Sequence, residues 1–116
     1  SDGSAPNWTR TLSLVNVAQS VKASSGDIWG WNLINDGNAT AYVKIYNVAF
    51  GSVTVGTTAV IKTLAIPPKT TIFFVTDRQS IQSFSTAISV ACVTGLADNN
   101  TTSPGASIVY AEIAYK

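Results

Sequence analysis

The sequence predicts an all-β protein, a single β-sandwich of about eight strands in jelly-roll-like or Greek-key order. Three observations carry this prediction. Short alternating or β-branched segments recur along the chain with turn residues between them. No stretch holds the period of an amphipathic helix. The apolar segments are nearly continuous, as two packed sheets require, and the repeated glycine kinks that corner a barrel are missing. With 116 residues the chain has the size of one domain, and folding buries roughly two thirds of the surface its extended form exposes.

Taken in order, residues 1–10 are small and polar and are broken by Pro6, which marks an N-terminal arm; residues 11–116 make the sandwich domain. Trp8 is the arm's one large apolar side chain. An isolated indole needs a surface to cover it, and that surface is either its own domain or a neighbouring subunit. Asn7, Trp8 and Arg10 are therefore the candidate partner-binding residues. Residues 11–15 alternate with Leu12 and Leu14 on one face, residues 19–23 give a short strand carrying Val21, and Ser24-Ser25-Gly26 turns the chain.

Residues 27–48, DIWGWNLINDGNATAYVKIYNV, organise the rest. Asp36-Gly37 with its Asn neighbours is turn chemistry between two alternating runs, so the stretch is expected to form a hairpin. A five-residue loop puts Trp29, Trp31 and Leu33 on one face against Val43 and Ile45, leaving Gly30, Asn32, Tyr42, Lys44 and Tyr46 on the other. A loop one residue longer shifts that pairing.

Residues 49–58, AFGSVTVGTT, make a glycine-punctuated excursion longer than a hairpin loop. Residues 59–66, AVIKTLAI, read as a central strand that Pro67-Pro68 ends, because proline cannot donate to the ladder. TTIFFVT over residues 70–76 favours a strand, and DRQSIQSF is irregular or carries one helical turn. Residues 85–94 alternate Ile88, Val90 and Cys92 against Ala87, Ser89, Ala91 and Val93, a small-residue face that another layer can approach closely. GLADNNTTSPGAS, residues 95–107, is an exposed loop, and IVYAEIAYK ties the C-terminus into a sheet.

The chemistry available is narrow. There is no histidine, so the usual general base, nucleophile activator and metal ligand are all missing. The acids Asp2, Asp27, Asp36, Asp77, Asp98 and Glu112 fall mostly at turns and strand ends, and no glycine-rich phosphate loop is present. The expectation is a non-enzyme with no catalytic residues, cofactor or metal. Asp98-Asn99-Asn100-Thr101 offers oxygen ligands of the kind Ca²⁺ takes, but reads more simply as a polar loop tip. Cys92, the one cysteine, sits among apolar neighbours as an inert buried thiol and can form no intrachain disulfide.

Charged residues make up only 11% of the chain and the net charge is +1 with no basic run, which argues against nucleic acid as a partner. No apolar run approaches a spanning helix, and residues 1–8 have no basic-then-apolar signal pattern, so no membrane partner is expected. A neutral polar surface neither repels its own copies nor attracts polyanions, and suits packing against other protein. Four Asn-X-Ser/Thr sequons, at Asn7, Asn38, Asn99 and Asn100, carry little weight in a chain this rich in those residues. Trp29, Trp31, Tyr42 or Tyr46 beside Asn and Asp would suit a sugar-binding face; aromatics alternating within a hairpin are more simply core.

The order IWGWNLIN, turn, AYVKIYN, then AIPPKTTIFF, ISVACVTGLADNNTT and a terminal IVYAEIAYK resembles small β-sandwich virion structural proteins of tailed bacteriophages, a group thought to include capsid decoration, head-fibre and tail components. The resemblance spans residues 13–116 and rests on strand and turn pattern, so it supplies no active residues. It implies a virion component assembled in the host cytoplasm, with the major capsid protein or another virion protein as partner. A homo-oligomer is implied too, with a trimer as one form. Composition and resemblance together lead to the expectation of a capsid decoration or cement subunit that stabilises the shell by binding the assembled state. The alternative is a lectin-like carbohydrate-binding module of a tail fibre or adhesin, to be told apart by exposed aromatics beside polar groups in a shallow groove.

Overall fold

Alternation and β-branching dictate ten strands in two antiparallel sheets, with one short 3-10 turn at Phe50–Ser52. The computed structural model describes residues 4–116. The strands are β1 (Asn7–Trp8), β2 (Leu12–Leu14), β3 (Gln19–Lys22), β4 (Gly26–Asn35), β5 (Ala41–Tyr46), β6 (Lys62–Ile66), β7 (Thr70–Val75), β8 (Gln82–Phe84), β9 (Ile88–Val93) and β10 (Val109–Tyr115). The large sheet runs β1-β10-β4-β7, with β2 also on β10 and β8 also on β4; the small sheet runs β3-β9-β5-β6. Only β5 and β6 are both consecutive and paired, so the ladder is almost wholly non-local, as a sandwich of the Greek-key class requires.

The two extra strands relative to the expected eight are short. β1 comes from the arm, and β8 comes from the stretch expected to be irregular. β6 is an edge strand pairing only β5, not the central strand its apolar run suggested: no other strand among the described residues flanks it, and Ile61, just before its start, is exposed.

Residues 27–48 do not form a hairpin. β4 pairs β10, β7 and β8 in one sheet, and β5 pairs β6 and β9 in the other, so the Asp36–Gly37 turn is a corner between layers. Asn35 makes the corner: its buried amide donates to the carbonyls of Ala39 and Ile66 at 2.9 Å and of Pro67 at 3.2 Å, and its Oδ1 accepts from the Gly37 amide at 2.9 Å. Trp31 and Leu33 still share one core with Val43 and Ile45, facing them across the sandwich. Trp29 does not join them. The ladder slips where Gly30 pairs Ala114 and Ile28 pairs Tyr115, and the bulged Trp29 lies outside that core, with the Lys116 ammonium 4.3 Å from its ring centroid.

Candidate interaction face

The outer faces of the two sheets have opposite fates. On the small sheet, Lys44, Tyr46, Ser89 and Ala91 point away from the core yet are buried. The excursion after β5 covers them: Val48, Val53, Val55 and Val60 pack on Tyr46, Ala91 and Ala18. The 95–107 loop helps close this face too. Lys44 is 1% exposed and its Nζ donates to the Leu96 carbonyl at 2.5 Å and to Thr63 Oγ1 at 3.2 Å, with the Asp98 carboxylate 3.9 Å away. Burial lowers the Lys44 pKa, partly offset by Asp98. The loop's outer residues are exposed, as expected, while its underside anchors this lysine. Cys92 lies in the core between the sheets, beside Val43 of β5, and burial pushes its thiol up to about 12.

The large sheet's outer face has no such cover among the described residues. Register puts Trp8, Ala114, Gly30 and Val75 in one row across it, and Glu112, Asn32 and Phe73 in the next. Small residues in the first row let large ones lean inward; a β-carbon at Gly30 would collide with the Phe74 carbonyl and Val75. Trp8 lies parallel to Phe73 within 9°, ring centroids 6.2 Å apart. Beneath them Glu112 accepts from Asn32 Nδ2 at 3.0 Å and from Thr11 Oγ1 at 2.8 Å, which holds its carboxyl below the usual range. Trp8, Thr9, Asn32, Phe73 and Glu112 together line a groove of about 250 Å³.

Of the nominated residues, Asn7 and Trp8 form β1 at the edge of the large sheet, pairing Tyr115 and Ala114. Thr9 locks the strand, donating its amide to the Ile113 carbonyl at 2.9 Å while its Oγ1 accepts from the Ile113 amide at 3.0 Å. The indole thus rests on its own domain on one side, against Phe73, and remains 41% exposed. Arg10 is exposed; it and Trp8 border a larger groove of about 500 Å³ that runs past Val21, Phe50 and Tyr115.

The aromatics proposed for a sugar face do not present themselves. Trp29, Trp31 and Tyr46 are buried, and only Tyr42 is partly accessible. The exposed aromatics on the large sheet are Trp8 with Phe73 (65%) and Phe74 (50%), joined by Val75. Phe73 and Phe74 were missed because TTIFFVT reads simply as strand. Period-two alternation was the available signal, since adjacent phenylalanines must point to opposite faces. Phe74 points inward, tilted against Trp31 with centroids 6.0 Å apart, but lies at the sandwich margin.

Among the described residues no group of three or more His, Cys, Asp and Glu side chains could hold a metal ion. No described helix is long and apolar enough to cross a membrane. Comparison with protein-family models, with curated proteins and with solved structures finds no match.

Proposed function

We propose that the chain is a non-enzymatic structural subunit of a tailed-phage virion, a decoration or cement protein that binds the major capsid protein and stabilises the assembled shell. The observation that carries this reading is the asymmetry of the two outer faces. One is sealed by the chain's own loops, while the other presents Trp8, Phe73 and Val75 on a surface poor in charge. Exposed apolar side chains gathered on one face mark a protein interaction site. A subunit bound at many equivalent positions adds stability by mass action on the assembled state. The test is immunogold labelling and quantitative mass spectrometry of virions from cultures that express the chain. Stoichiometric labelling of the particle surface is expected, and absence from purified virions refutes the reading.

A second reading, a carbohydrate-binding module, is favoured by one observation. The parallel Trp8 and Phe73 rings stand beside the Asn32 and Glu112 side chains, an apolar platform next to polar groups. Binding on a glycan array that is lost with Trp8→Ala supports it.

A further inference from the structure

We infer that β7 is a self-pairing edge, across which two copies of this chain join their large sheets into one continuous antiparallel sheet. The inference rests on the assembly reading and names the surface through which copies meet.

β7 pairs β4 on one side and no other strand among the described residues on the other. Its sequence carries no charge from Thr70 to Thr76. An uncharged apolar edge lacks the lysine, proline or bulge that usually blocks edge pairing. The ladder fixes which groups it offers. The Thr76 amide donates to the Trp29 carbonyl, and hydrogen-bonded pairs alternate, so the amides and carbonyls of Thr71, Phe73 and Val75 point away from β4.

An antiparallel copy centred on Phe73 uses all of them. Phe73 meets Phe73 of the second copy on the two-fold axis, and Thr71 meets Val75 on each side; every one of these is a hydrogen-bonding pair. On the inner face Ile72 meets Phe74, covering the phenylalanine that the sandwich margin leaves exposed. On the outer face the two Phe73 rings join the Trp8 rings already beside them. The flanks are compatible: Lys69 and Asp77 stand equally far from Phe73, just outside the strand, so this register brings each lysine, which already holds Asp36 at 3.4 Å, to the same end as the other copy's aspartate. Both residues are exposed. Centring on Ile72 or Phe74 loses one hydrogen-bonding pair and this charge match.

Sedimentation equilibrium of the full chain tests the pairing. The expected result is a dimer of twice 12.2 kDa, populated below about 100 μM. Thr71→Pro removes an amide that β4 does not use and should give a monomer with unchanged circular dichroism and melting. Asp77→Lys, far from the core, brings like charges to the same end at two symmetric places and should weaken the dimer about tenfold. A wild-type monomer overturns the inference, whether it stays alone or instead pairs β7 with a shell protein. A trimer overturns it too, because isologous pairing closes at two copies, as does a dimer indifferent to both substitutions. Virion incorporation is measured separately. A monomer found stoichiometrically in virions sinks the edge pairing alone, and a β7 dimer absent from virions sinks the assembly reading alone.

Discussion

Replacing Asn35 by alanine removes the one side chain that ties both sheets and the turn between them at the β4–β5 corner. Four contacts are lost, three donated by the amide nitrogen, which has only two hydrogens, so one is shared. Ala39 and Pro67 are exposed and water can replace the bond to each carbonyl, so they contribute little to the cost. The Ile66 carbonyl belongs to a fully buried residue, and the Gly37 amide is partly enclosed. Leaving two such groups unpaired costs about 1–2 kcal/mol each, giving about 3 kcal/mol in all. For a chain of this size that is a fall in Tm of roughly 10 °C. Urea unfolding followed by tryptophan fluorescence measures it, with an unchanged m-value required for a clean comparison. Asn35→Asp keeps the acceptor for Gly37 but turns a carboxylate toward carbonyl oxygens. The folded state then holds its proton more tightly than the unfolded chain, so stability is full below about 3.9 and is lost as pH rises from there toward the raised folded value. A loss below about 1 kcal/mol for Asn35→Ala would refute the reasoning and mean that solvent satisfies this corner.

Other outcomes follow from the same structure. Burial lowers the Lys44 pKa, so the unfolded chain binds more protons between the lowered value and 10.5, and this group's contribution to stability rises with pH across that window; the difference between wild type and Lys44→Met in urea titrations isolates the slope. The Cys92 thiol is shifted the other way, from 9.0 up to about 12, so its contribution is full below 9.0 and falls as pH rises from there. At neutral pH a disulfide reagent should leave the native thiol unmodified and label it only as fast as the chain unfolds. Trp8→Ala removes the half-buried indole from Phe73, costs about 1–2 kcal/mol, and shifts emission to the blue because Trp29 and Trp31 are buried.

The fold class was legible because the signal was periodic. β9 alternates as expected, and its small-residue face is closely covered, Ala91 lying under the excursion after β5. Partner choice between strands was not legible at Asp36–Gly37, because the same turn residues serve a hairpin and a corner between sheets. The difference lay in the Asn35 side chain reaching Ile66 and Pro67, a contact 31 residues away for Ile66. Trp29 was misplaced because a bulge breaks the alternation on which its face was assigned. Trp8 could be singled out from its polar surroundings. Its companion Phe73 lies 65 residues further on and joins it only through two intervening strands, β10 and β4.

On the proposed reading the chain joins a larger assembly through the uncovered face of the large sheet, and hydroxyl-radical footprinting of the chain free and in virions tests that proposal most directly. Oxidation of Trp8 and Phe73 should fall sharply in the particle, while Leu96, on the loop that covers the small sheet, stays as reactive as in the free chain. Equal oxidation of Trp8 and Phe73 in both states, or protection of Leu96 instead, would contradict the account.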